Sequence, residues 1–259
     1  MITRPLTSPL TRGNTQSFAP STPYAPYAVT FDGTNDYLSY TASTSSDSKQ
    51  FTFSFWVRRN VITQDWIFAL VNNGGAGTDR RLEFFFDGGP LAVRGRSSAG
   101  TDLLEVYSSD INDTDWHHYM GSFDLSDTGK RHLYIDNVSD LATVFVYTNG
   151  TIEMGGGAGP QTYIANREAA GASTLRLNGD MAQFWFESGT YIDLSDAGNR
   201  AKFVSALVRP VDMGVDGSIP TGSSPDVYLE GVLAGWATNK GTGGGFTTNG
   251  TLTTASTSP

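Results

Sequence analysis

Three features of the sequence predict an all-β chain folded as a two-sheet antiparallel sandwich. Phe51 to Arg58 alternates with the period of a strand, Phe51, Phe53, Phe55 and Val57 on one side and Thr52, Ser54 and Arg58 on the other. Aromatic residues make up 12% of the chain and charged residues only 17%, with 30 glycines among many Thr, Ser and Asn. That is the composition of short strands joined by turns. Finally, Trp116 to Asn137 sets two aromatic, β-branched segments around a polar loop, Leu125 to Lys130, and reads as a long-looped hairpin. Asp136-Asn137 at its end offers the positive-φ residues of a tight turn.

At 259 residues the chain is long enough for one large sandwich with a sizeable core. It contains no Cys, which excludes a disulfide framework, a thiolate metal site and a cysteine nucleophile. The net charge of −9 argues against nucleic acid as a partner. No apolar run reaches membrane-spanning length, and the stretch between Arg4 and Arg12 lacks the apolar core of a secretory signal.

In chain order, residues 1–27 form a Pro/Thr-rich arm, with Pro5, Pro9, Pro20, Pro23 and Pro26 favouring extended conformations. Val29 to Leu38 supplies two strands around an Asp32-Gly33 turn. Trp56 interrupts the polar side of the strand at Phe51 to Arg58, so that side needs cover from a facing layer or an arm. Trp66 to Val71 and Leu82 to Phe86 read as buried strands, followed by Leu91 to Arg96 and Leu104 to Tyr107. After the central hairpin come Val144 to Tyr147, Tyr163 to Ala165 and Leu177 to Phe186. One helix is expected over Asp193 to Leu207, with Asp193 as its N-cap, Asp196 at the third helical position, and Leu194, Ala197, Ala201 and Val204 at helical spacing. Residues 208–259 are Gly/Thr-rich and turn-dense, with one strand at Asp226 to Gly231.

Four phrases carry a resemblance. Phe31-Asp32-Gly33-Thr34-Asn35-Asp36-Tyr37 resembles the opening of the laminin-G-like (concanavalin A-like) jelly rolls, and Trp116-His117-His118 followed by Leu133-Tyr134-Ile135-Asp136-Asn137 resembles their middle. Tyr163-Ile164-Ala165 stands in place of an L-x-I-G strand, with Ala where Gly is usual. Leu177 to Phe186 is similar to the closing phrase, with Ala182-Gln183 where acidic residues are common. The resemblance covers residues 28–207 and implies a concanavalin A-like jelly roll with one short helix and extended terminal segments. Residues 208–259, with Pro210-Val211-Asp212 and Asn239-Lys240-Gly241, resemble the C-terminal extension of laminin-G-like proteins of tailed bacteriophages. That extension is expected to pack on the sandwich or on a neighbouring subunit.

Glycosidases of this fold set two Glu on one strand face. Here the six Glu (83, 105, 153, 168, 187 and 230) are never closer than 15 positions, so no catalytic residue is assigned. The three histidines, His117, His118 and His132, all fall on the hairpin; the first two point to opposite faces of a strand and read as framework. Relatives often hold Ca²⁺ at a rim of the sandwich, and Asp32 and Asp180 sit in the matching phrases, although Asp-Gly is also ordinary turn chemistry. No other cofactor is expected. Glycan-binding candidates are Trp66, Tyr107, Trp185 and Trp236, with burial or exposure as the deciding property. Gly243-Gly244-Gly245 lacks the helix and Lys of a phosphate loop and reads as a turn or a close backbone approach.

The resemblance implies a non-enzymatic structural protein of a phage virion, a tail fibre or head decoration, with a carbohydrate-binding module as the alternative. Its arm and tail carry few apolar anchors, namely Phe18, Tyr24 and Tyr27, and Phe246 and Leu252. Such segments need a surface made by other subunits to offset the entropy of ordering. A homo-oligomer, a trimer by resemblance, is therefore expected, joined to other virion proteins through the arm and in contact with host surface polysaccharide.

Overall fold

The computed structural model describes residues 24–72, 80–157, 159–167 and 175–259. Two eight-stranded antiparallel sheets are packed face to face. The first runs β10 (Val138–Ser139), β9 (Arg131–Ile135), β8 (Trp116–Asp124), β3 (Gln50–Arg59), β13 (Asn178–Ser188), β1 (Val29–Asp32), β16 (Thr253–Thr254), with β14 (Val227–Leu229) also on β13. The second runs β11 (Thr143–Tyr147), β7 (Asp102–Tyr107), β6 (Leu91–Arg96), β5 (Arg80–Asp87), β4 (Gln64–Val71), β12 (Gln161–Ile164), β2 (Tyr37–Tyr40), β15 (Thr247–Asn249). The predicted all-β sandwich is the observed architecture.

The alternation in β3 does what its pattern requires. Phe51, Phe53 and Phe55 point between the sheets, where Phe53 lies 4.3 Å from Phe84 and Phe68 lies 4.8 Å from Phe186, centroid to centroid. Truncating one of these rings to Ala costs about 3–5 kcal/mol. The opposite side of β3 is also buried: Trp56, Met120, Trp185 and Tyr228 form a second cluster under Ile192, Leu194, Phe203, Val204 and Met213. The cover that Trp56 demanded is the segment after β13.

Gly33, at φ +71°, turns the chain from β1 in the first sheet to β2 in the second. A Cβ there would lie 2.7 Å from Asn178 Cβ, so only Gly fits. Asp136 and Asn137, at φ 50° and 66°, make the tight turn between β9 and β10. Ala165 takes the left-handed backbone, φ 61°, that Gly usually supplies. Within β13 a bulge between Ala182 and Trp185 puts Gln183 at φ 45°. One edge of β13 is thereby shared, Asn178 to Met181 pairing with β1 and Phe184 to Phe186 with β14.

One expectation is corrected. The helix α1 is only Ala197–Arg200, and its N-cap is Asp196, whose side chain accepts from Gly198 N. Asp193 instead closes its own turn by accepting from Ser195 N at 2.9 Å, which competes with helix formation at that point. A second short helix, α2 (Leu233–Trp236), lies in the tail. The tail contributes strands to the sandwich. β14 and β16 belong to the first sheet and β15 to the second, so residues 208–259 complete both sheets of the same chain. The glycine run permits close approach, since a Cβ on Gly243 would lie 2.7 Å from Asp226 O.

Candidate functional site

The outward face of the second sheet gathers side chains that are far apart in sequence. Register places Tyr107, Ala92, Phe85 and Trp66 in one row across β7, β6, β5 and β4. The adjacent row is Glu105, Arg94, Glu83, Ala69 and Tyr163. Arg94 joins the rows. Its guanidinium donates to Glu105 at 2.7 Å, lies 3.7 Å from Glu83 and sits 5.2 Å over the Phe85 ring. Glu83 Oε1 also accepts from Trp66 Nε1 at 2.9 Å. Strand alternation brings these outward, and small Ala92 and Ala69 leave the larger neighbours room.

Accessibility is graded along the face. Trp66 and Phe85 are buried and stacked 4.7 Å apart, with the Arg167 guanidinium 4.8 Å over Trp66. Tyr107 is half-buried, and the next ring, Phe145 on the edge strand β11, is 67% exposed and meets it edge-on at 5.3 Å. A bulge between Val144 and Val146 sets Phe145 there. The accessible part is therefore Tyr107 and Phe145, with Arg94 and Glu105 beside them. Burial chiefly, and then the Glu105 charge, raises the Tyr107 hydroxyl above its ordinary value, so it stays a neutral donor and acceptor.

Of the four aromatic candidates, only Trp66 and Tyr107 share this face, and only Tyr107 is reachable. Trp66 is a correction, since its ring is enclosed by Phe85 and Arg167. Trp185 is fully buried beneath Phe203, and its Nε1 donates to Gly217 O at 2.8 Å. Trp236 sits in the central core, 6.0 Å edge-on to Phe31. Neither can stack on a ligand. Arg94, Glu105 and Phe145 were not singled out by sequence reasoning, because their value comes from cross-strand register; only the outward phase of Arg94 in Leu91 to Arg96 hinted at it.

The carboxylates named as calcium candidates have structural partners. Asp32 Oδ1 accepts from the backbone N–H of Thr34, Asn35 and Asp36, an Asx-type turn. Asp180 is buried, bound by Arg58 at 2.6 Å and by the Thr30 hydroxyl at 2.6 Å. Among the described residues no cluster of three or more His, Asp or Glu could hold a metal ion. The donor set does not fit Ca²⁺.

The histidines act as framework. His118 is fully buried with Nε2 2.8 Å from Ser54 Oγ, and burial pushes its pKa down to about 3. His117, on the other face, lies between Asp136 at 2.6 Å and Asp113 at 2.8 Å, and the Asp136 hydrogen bond leads in raising it to about 9. His132 Nε2 pairs with the Tyr191 hydroxyl at 2.8 Å.

The proposed assembly anchors divide by end of chain. Phe18 lies outside the described residues. Tyr24 is half-buried and Tyr27 is 56% exposed. Phe246 packs edge-on to Tyr40 at 6.3 Å, and Leu252 enters the core of its own sandwich. The tail anchors are thus satisfied within one chain, which corrects the expectation that they need a neighbour.

A family model described as the concanavalin A-like lectin/glucanases superfamily (Laminin_G_3) matches residues 32–191. The chain belongs to this superfamily. No curated protein matches it by sequence. Among solved structures, it is similar to a native heptameric SAP-like pentraxin from Limulus polyphemus, with TM-score 0.58, 13% identity, and coverage of 89% of this chain and 94% of that one. It is also similar to a putative carbohydrate binding protein from Bacteroides ovatus ATCC 8483, with TM-score 0.58, 15% identity, and coverage of 90% of this chain and 61% of that one. At these identities the likeness concerns the fold.

Proposed function

We propose that this superfamily member is a non-catalytic carbohydrate-binding protein that engages glycan through the Tyr107–Phe145 end of the second sheet. The observation that carries the reading is the pair of reachable rings beside a planar guanidinium and a carboxylate. Aromatic rings offer a surface for the apolar C–H face of a sugar, and Arg94 with Glu105 offers donors and acceptors for its hydroxyls. The carbohydrate-binding description of the Bacteroides ovatus protein points the same way. Hydrolysis is disfavoured by geometry. Glu83 and Glu105 share a row, but Arg94 fills the space between them, where a scissile bond would have to lie.

A glycan array followed by calorimetry on the best ligand tests the reading. Phe145→Ala and Tyr107→Ala are each expected to weaken binding about fivefold, the loss of one ring contact of roughly 1 kcal/mol. Unchanged affinity in both variants would overturn it. No new reducing ends should appear on incubation with bacterial polysaccharides.

The resemblance of residues 208–259 to phage extensions supports a place for this binding protein in a tailed-phage virion, as a homo-oligomer and most simply a trimer, attached through its N-terminal arm. Mass spectrometry and stoichiometry on purified particles test that placement; absence of the chain from them ends it.

A further inference from the structure

We propose a second saccharide site on the opposite side of the sandwich, in the groove between Thr190–Asp193, α1 and the Pro220-Thr221 turn, taking a neutral pyranose. This groove of about 290 Å³ lies over the first sheet, whereas Tyr107 and Phe145 lie on the second, so the two sites are physically separate. Its volume is at the lower end of the roughly 300–1,000 Å³ of small-ligand sites, suited to one or two sugar rings.

The groove is polar, pre-shaped and has unused hydrogen-bonding capacity. Tyr191 lines it, and the ring is fixed because its hydroxyl is 2.8 Å from His132 Nε2. Asp193 Oδ1 is occupied by Ser195 N at 2.9 Å and Ser195 Oγ at 2.6 Å, which orients the carboxylate and leaves Oδ2 as an acceptor on a side chain 53% exposed. Asn199 Nδ2 donates to Asp193 O at 3.0 Å, which leaves the amide oxygen as a further acceptor. Lys202 lines the same groove, and its ammonium has no ion-pair partner among the described residues. One aromatic ring, two spare acceptors and one spare cationic donor complement vicinal hydroxyls on a ring with an apolar face.

Charge selects among sugars. Lys202, the one cationic side chain lining the groove, is opposed there by the Asp193 carboxylate and by a chain of net charge −9. A uronic or sialic acid could pair with Lys202 but would also meet Asp193 and the chain's net charge of −9, whereas a neutral sugar meets neither repulsion.

The test uses the full ¹⁵N-labelled chain titrated with maltose, lactose and cellobiose, and with digalacturonate as the acidic counter-probe. At least one neutral disaccharide is expected to shift the amide signals of Thr190, Tyr191 and Thr221. Lys202→Ala and Asn199→Ala, at surface positions, should each weaken that response three- to tenfold, the worth of a hydrogen bond or two. Tyr107→Ala should leave it unchanged. The proposal is overturned if no neutral sugar moves these amides, if digalacturonate binds as tightly, or if both groove variants bind like the parent. Shifts confined to Tyr107 and Phe145 would support the first site and overturn this one.

Discussion

His117 and His118 are neighbours in β8, and their surroundings drive them in opposite directions from the ordinary value of 6.5. Between about 3 and 6.5 the unfolded chain binds a proton at His118 that the native state refuses, so stability falls as pH drops through that window. Between 6.5 and about 9 the native state holds a proton on His117 that the unfolded chain releases, so stability falls as pH rises. Urea midpoints measured from pH 4 to 9 should therefore trace a dome that is highest near neutrality. His117→Gln should flatten the alkaline limb and His118→Gln the acid limb; a limb that keeps its slope in the matching variant refutes the assignment. Asp180 gives a second residue-level test. Its replacement by Ala leaves the Arg58 guanidinium, only 25% exposed, without its partner, and is expected to cost about 3 kcal/mol in a denaturant melt. Added Ca²⁺ or EDTA should leave the parent's melting temperature unchanged, because Asp180 serves Arg58 and not a metal.

At the scale of elements, the closing tail makes the sharpest prediction. β15 hydrogen-bonds to β2 and β16 to β1, and Asp36 Oδ1 accepts from Thr251 N at 2.7 Å to hold the turn between them. Gly250, at φ +76°, sits in that turn, and a Cβ there would meet Asp36 Oδ1 at 2.2 Å. Gly250→Ala is therefore expected to destabilise the chain by about 1–3 kcal/mol, and deletion of residues 247–259 to lower stability further by baring two sheet edges. Amide exchange that stays slow in β1 and β2 after the deletion would contradict this. The contrast shows what was legible in the sequence. Strands such as β3 and the β8–β9 hairpin were readable because a half-buried strand writes its period into its residues, and Asp136-Asn137 wrote its turn. The tail's pairing was not readable. β15 and β16 are Thr-rich and short, and what fixes them is a partner some 200 residues away. The helix was misplaced because Asp193 and Asp196 both look like N-caps, and only packing decides which one starts a helix. Of the reachable residues on the proposed binding face, only Tyr107 was legible; its neighbours Arg94, Glu105 and Phe145 depend on register and on a bulge in β11.

For the molecule as a whole, the two ends behave differently, and this bears on assembly. The tail is held by its own sandwich: Leu252 is 8% exposed, Ala255 N donates to Ala28 O at 3.0 Å, and Trp116 Nε1 donates to Thr257 Oγ1 at 3.1 Å. It has no need of a neighbour. The N-terminal end has a different balance. Pro26 and Ala28 are buried where the chain enters β1, while Tyr27 remains 56% exposed beside that entry. Residues 1–23 hold only Phe18 as an aromatic anchor, and ordering a backbone costs about 1–2 kcal/mol per residue. Attachment through this arm is a proposal that truncation tests directly. Deleting residues 1–23, and not beyond, should leave the melting temperature within about 2 °C of the parent, since every described strand and buried residue is kept. Light scattering coupled to size exclusion should show a smaller assembly than the full chain forms, and the truncated chain should fail to join particles. A truncated chain that keeps the parent's mass in solution and its copy number on particles would move the attachment surface from the arm to the sandwich.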